Sequence, residues 1–265
     1  MTPPVLRTTG LARTFRMKTG TVEAVRGIDL TVEEGEILGL LGPNGAGKTT
    51  TLRMLTTLLP PTSGTAAVAG HDLAGDSAGV RTKIGYVAQS GGVDPSVPVR
   101  EELTTQARLY RLTRPQAVAR TAELAAWLGL GDVLDRKCGT LSGGQRRRLD
   151  IAMALTHSPR VLFLDEPTTG LDPGSRAALW TLIRRLRDEL GTTVVITTHY
   201  LDEAEALADR LVVVDRGRIA AEGTAQELKK RYGGGPGASL QEAFIGITGH
   251  GPSAGDDAAE APVAV

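Results

Sequence analysis

The chain has 265 residues, with 30 basic and 30 acidic side chains, a formal net charge of zero and an isoelectric point of about 6.9. That length suits one α/β domain with an inserted subdomain, and the neutral balance lacks the overall positive field that holds a nucleic-acid backbone. A single cysteine, Cys138, cannot form an intrachain disulfide, which fits a reducing compartment.

The stretch Met1–Gly10 has no basic region followed by an apolar one, so no signal peptide is expected. No apolar run approaches the ~18–20 residues needed to span a bilayer. Val22–Val32 reads as two strands, with a turn at Gly35. Ile37–Leu41 reads as a short buried strand that runs into a glycine-rich loop, and a helix is expected from Lys48 to about Leu58, ended by Pro60-Pro61.

From about 91 to 159 the texture becomes helical, with Leu103, Ala107 and Tyr110, then Ala122, Ala125 and Leu128, at helical spacing. Strand texture returns at Val161–Leu164, Thr193–Thr197 and Leu211–Val214, separated by helices at Ser175–Leu190 and Leu201–Ala208. This alternation implies a mostly parallel sheet covered on both faces. Glu242–Ile247 reads as a last short helix. The stretch 249–265, rich in Gly, Ala, Pro and Asp, is expected to be a disordered tail after a single unit at 1–248.

Gly42-Pro43-Asn44-Gly45-Ala46-Gly47-Lys48-Thr49 fits the phosphate-loop pattern G-x-x-x-x-G-K-[ST]. Glycines let successive N–H groups turn inward on a phosphate, and the following helix aims its positive end at the same point. Lys48 is placed to reach β- and γ-phosphates, and the Thr49 hydroxyl to ligate Mg²⁺. Further on, the apolar run Val161–Leu164 ends in Asp165-Glu166. Asp165 suits support of Mg²⁺, and Glu166 suits polarising a water for attack on the γ-phosphate. Leu141-Ser142-Gly143-Gly144-Gln145 offers a hydroxyl, exposed backbone N–H groups and a helix start, which is a second phosphate-binding surface. Arg146, Arg147 and Arg148 read as a solvated helix face. His71, His157, His250 and Cys138 are assigned no role.

These motifs together resemble the ATP-binding subunits of ABC transporters, over about residues 5–230. The resemblance implies a P-loop NTPase core with a mostly parallel sheet flanked by helices, an N-terminal antiparallel subdomain and an inserted helical subdomain. It implies ATP and Mg²⁺ as ligands, with nucleotide held by Gly42–Thr49 and Thr50. It also implies a head-to-tail homodimer in which the phosphate loop of one subunit and Ser142, Gly143, Gly144 and Gln145 of another enclose ATP. A lone monomer is then expected to hold ATP yet hydrolyse it poorly.

Residue by residue, Gln89 resembles the glutamine that contacts Mg²⁺ and senses the γ-phosphate. His199 resembles the switch histidine that orients Glu166, and Asp172 the aspartate that communicates across the dimer. Phe15 resembles the aromatic that stacks on adenine. Val99–Leu112, LSGGQRRRLDIA and SLQEAFIGITG are most similar to the daunorubicin-resistance type of drug-export ATPase. Export through an integral membrane permease, with this chain peripheral on the cytoplasmic face, is the expectation. An importer subunit and a soluble ABC ATPase are the alternatives.

Overall fold

The computed structural model describes residues 3–18 and 20–251. The expected tail therefore lies, from 252 onward, outside the described residues.

An antiparallel sheet is built first, from β1 (Leu6–Met17), β2 (Gly20–Ile28), β3 (Thr31–Val32), β5 (Ser63–Val68) and β6 (His71–Asp72). Its order is β2-β1-β5-β6, with β3 on β1. The Val22–Val32 expectation resolves into the end of β2 and all of β3, and the turn at Gly35 takes φ 78°. The long β1 is absent from the sequence reading. Register shifts between Leu11 and Ala12 and between Arg13 and Thr14 break its alternation, so its period of two cannot be followed along the chain.

A second sheet holds β4 (Ile37–Leu41), β7 (Ile84–Val87), β8 (Val161–Asp165), β9 (Thr193–Thr198), β10 (Arg210–Asp215) and β11 (Arg218–Gly223) in the order β11-β10-β4-β9-β8-β7. All neighbours are parallel except β10 and β11. The strands β4, β8 and β9 are buried at every residue, which is why they read as continuous apolar or Thr-containing runs rather than alternating ones. Within β8 the faces divide cleanly. Val161 and Phe163 pack with β1, β2 and α1 (Lys48–Leu55), whereas Leu162 and Leu164 pack with the helices on the other side.

The helix α1 stops three residues before the expected Leu58. Thr56 Oγ1 bonds back to the Leu52 carbonyl, Thr57 adopts φ 63°, and the amides of Leu58 and Leu59 return to Arg53 O. After α2 (Ser77–Lys83) come α3 (Val99–Leu109), α4 (Arg114–Trp127) and α5 (Gly143–Ala154). The inward stripe of α3 and α4 contains Val99, Leu103, Ala107, Ala117, Thr121, Leu124 and Ala125. Tyr110 and Ala122, read as part of that stripe, are exposed instead. The Tyr110 ring stacks on His157 at 3.8 Å. The helices α6 (Pro173–Leu190), α7 (Leu201–Leu207), α8 (Ala225–Tyr232) and α9 (Leu240–Thr248) complete the described chain. Among the described residues no helix is long and apolar enough to cross a membrane.

Phe163 is fully buried between the two sheets. Phe163→Ala is expected to lower the unfolding free energy by about 3–5 kcal/mol, read as a shift of the urea midpoint at unchanged m-value.

Candidate functional site

The loop 42–47 leaves the C-terminal end of β4, and the chain around it dictates its glycines. A Cβ on Gly42 would lie 2.2 Å from Val214 O, and one on Gly47 would lie 2.4 Å from Ala24 O. Gly45 takes φ 77° and Gly47 φ 102°. The loop is thus wedged between β2 and the β10–β11 hairpin, with Gly217 N donating to Ala46 O at 2.9 Å. Asn44 and Gly45 are exposed, Pro43 is half-buried, and Thr49 and Thr50 lie half-buried in the first turn of α1. Lys48 is buried. Its Nζ donates to Gly42 O at 2.8 Å and Pro43 O at 3.1 Å, and stands 3.6 Å from Glu166 Oε1. Burial pulls the Lys48 ammonium below its ordinary pKa, against the opposing pull of Glu166 and Asp165.

Asp165 ends β8 and faces the loop. Its Oδ1 accepts from Thr49 Oγ1 at 2.9 Å and from Thr197 Oγ1 at 2.6 Å, and its Oδ2 accepts from the Tyr86 hydroxyl at 3.4 Å. This all-oxygen cluster of carboxylate and hydroxyls is the donor chemistry that Mg²⁺ selects. Thr197 and Tyr86 were not singled out in the sequence. Their signal is positional, since both lie on strands that flank Asp165.

Glu166 leaves the strand in a left-handed conformation, φ 42°, which is unusual for a residue with a Cβ. Its amide is held by Thr197, through the carbonyl at 3.2 Å and Oγ1 at 3.0 Å. The twist delivers its carboxylate to three side chains: Oε2 accepts from Gln89 Nε2 at 3.4 Å and Thr169 Oγ1 at 3.3 Å, and lies 3.2 Å from His199 Nδ1. The histidine contact has ion-pair distance without hydrogen-bond alignment, leaving Nδ1 without a bonded partner. Burial pushes the Glu166 carboxyl up, but His199 and the Lys48 charge outweigh it and hold it below its ordinary pKa. Gln89, Glu166 and His199, expected to act together, are therefore brought together. Gln89 meets Glu166 rather than Thr49 or Asp165.

The signature stands apart. Ser142 caps α5, its Oγ accepting from Gln145 N at 3.3 Å while Gln145 Oε1 accepts from Ser142 N at 3.0 Å. Gly143 and Gly144 pass close to the start of α6 and the loop before it: a Cβ on Gly144 would lie 2.9 Å from Ser175 Oγ, and one on Gly143 3.4 Å from Leu171. There Asp172 caps α6, accepting from Ser175 N at 3.0 Å and Ser175 Oγ at 2.6 Å. Among the described residues no hydrogen bond or ion pair joins Ser142, Gly144, Gln145 or Asp172 to the phosphate loop. Phe15 is half-buried on β1, with the Arg13 guanidinium 4.8 Å over its ring.

The solvated-face reading of Arg146–Arg148 fails at Arg147, which is 6% exposed. It sits one turn before Ile151 on the inward side of α5, a position the helical period itself marks as buried. Asp150, one turn along on the same side, is pushed up to about 6 by burial, which outweighs the nearby Arg147 and Arg146 charges. A carboxyl whose folded pKa exceeds its unfolded value favours the folded state when protonated. Stability from this group is therefore lost as pH rises from about 4 to about 6. Asp150→Asn should raise stability at pH 7.5 by on the order of 2 kcal/mol and leave it nearly unchanged at pH 4, measured by denaturant melts at both pH values.

The ABC transporter family model matches residues 25–169. The chain is 50% identical over 228 residues to the daunorubicin/doxorubicin resistance ATP-binding protein of Streptomyces peucetius, covering 86% of this chain and 68% of that one. It is 44% identical over 216 residues to the Nod factor export ATP-binding protein I of Burkholderia orbicola (strain AU 1054), covering 82% and 71%. A solved dimeric ATP-binding cassette in a post-hydrolysis state with ADP and Pi superposes with a TM-score of 0.76 at 27% identity, covering 83% of this chain and 98% of that one. With a phosphate loop, a strand-end carboxylate pair and the LSGGQ helix set out in this geometry, the chain belongs to the ABC transporter family and is one of its ATP-binding, ATP-hydrolysing subunits.

Proposed function

We propose that this subunit, residues 1–248 acting as one nucleotide-binding domain, powers export through a separate membrane permease. It works there as a head-to-tail dimer on the cytoplasmic face. The observation that carries the reading is the division of the machinery in space. Lys48, Gln89, Glu166 and His199 converge at one edge of the sheet, whereas Ser142, Gly144 and Asp172 form a separate surface with no bond to that edge. A second copy brings the two surfaces together over one nucleotide. Export and drug resistance are supported by the names of the relatives, which are resistance and Nod factor export ATP-binding proteins.

In the mechanism, the loop amides and the N-terminal end of α1 receive the phosphates, and Lys48 turns from the Gly42 and Pro43 carbonyls to the β- and γ-oxygens. Thr49 and Asp165 would hold Mg²⁺, with Gln89 turning from Glu166 to join them, and the ion would supply charge neutralisation at the phosphates. Glu166 is ionised at neutral pH and orients a water whose oxygen bonds to the γ-phosphorus as the bond to the bridging oxygen of ADP breaks. The water proton passes to the carboxylate, and His199 holds that carboxylate in place. Phe15 lies on β1, next to the β2 strand that meets the loop, and offers a ring face to the base. ATP drives closure through its higher affinity for the joined than for the separated subunits.

Glu166→Gln should bind ATP with a Kd within about threefold of the parent, hydrolyse it at least about 10²-fold more slowly, and run as a dimer with ATP in size-exclusion chromatography. Parent-like turnover would remove Glu166 from this role. Lys48→Ala should weaken ATP binding by at least about tenfold in calorimetry, and unchanged affinity would refute the phosphate contact.

A further inference from the structure

The buried guanidinium of Arg147 makes three contacts that no motif assigns. Its Nε donates to Pro167 O at 2.8 Å, Nη1 to Ala88 O at 2.6 Å and Nη2 to Asp165 O at 3.0 Å. Each acceptor is the backbone next to a residue of the chemistry. Ala88 precedes Gln89, and the Asp165 and Pro167 carbonyls bracket Glu166. The planar fork suits this work, because its donors point in fixed directions and stay charged even when buried.

A second contact reinforces the first. The Asp150 carboxylate packs under the loop after Gln89, where a Cβ on Gly91 would lie 2.9 Å from Asp150 Oδ2. Asp150 also lies 3.9 Å from Arg147, so it balances the buried charge. The inner side of α5 thus grips both the Gln89 loop and the turn that carries Glu166, and the same helix begins with the signature at Ser142.

We infer that Arg147 is a positioning residue that ties the signature helix of a subunit to Gln89 and Glu166 of the same subunit, so that nucleotide captured by the signature at one site adjusts the geometry of the other. This rests on the shared-site reading above. In an α5 that shifts as a rigid rod, displacement at Ser142 reaches Arg147 within about one and a half turns, and three short hydrogen bonds carry it to both loops.

The test compares Arg147→Met, which fills the space without donors, with Arg147→Lys, which keeps the charge and a single donor group. Purified Arg147→Met is expected to lose at least about tenfold in kcat while its ATP Kd stays within about threefold, and Arg147→Lys to recover part of that kcat. In a Glu166→Gln background, Arg147→Met should still dimerise with ATP, because Ser142 and the phosphate loop are untouched. Parent-like kcat in either variant, or a loss of ATP affinity that matches the loss of kcat, overturns the role of Arg147. If Arg147→Met does not fold, the kcat-to-Kd split in Arg147→Lys decides in the same way. Failure of Glu166→Gln itself to dimerise with ATP overturns the shared site instead, and with it the link between sites.

Discussion

Five parallel strands end along one edge of the sheet, and the chemistry of the molecule depends on the opposed charges that stand there. The loop after β4 presents backbone N–H groups and Lys48, β8 presents Asp165 and Glu166, β7 leads to Gln89 and β9 to His199. Parallel register brings these ends level, as in other open α/β sheets, where the carboxyl ends of the strands form the binding crevice. Positive and negative groups then face one another at short range. Lys48 and Glu166 are both buried, 3.6 Å apart, and each shifts the other's protonation toward the charged form.

That balance explains why the surrounding backbone is so tightly specified. A charge at the strand edge is useful only if its partners are fixed, and fixation here is mostly by main chain. Thr197 clamps the Glu166 amide twice, Gly42 and Gly47 let neighbouring carbonyls approach within distances that a Cβ would forbid, and Arg147 holds three carbonyls from behind. The strained φ at Glu166 persists because these contacts over-determine it.

Much of this was legible in the sequence because the relevant residues are contiguous. The phosphate loop, the Asp165-Glu166 pair and LSGGQ each lie within a few positions, and the buried strands announce themselves as apolar runs. Long-range partnership was harder to read. Thr197 and Tyr86 reach Asp165 only because the sheet order places β9 and β7 on either side of β8, and strand order is not written in any local pattern. At Arg147 two local signals compete. Residue type suggested solvent, whereas helical period placed it inward, and the period was correct. β1 is hidden in the sequence by its slipping register, and β11 by its partial burial.

Ser142 and Gln145 stitch each other into the first turn of the helix, and the proposed shared site also has them meet nucleotide. Two demands therefore fall on the same pair of side chains. A substitution at either would let the first turn fray, and fraying slackens the rod on which Arg147 sits one turn below. An inactive signature variant is consequently ambiguous evidence for a lost nucleotide contact. Its defect is equally that of an unwound helix end, behind which Arg147 loses its hold on the carbonyls on either side of Glu166.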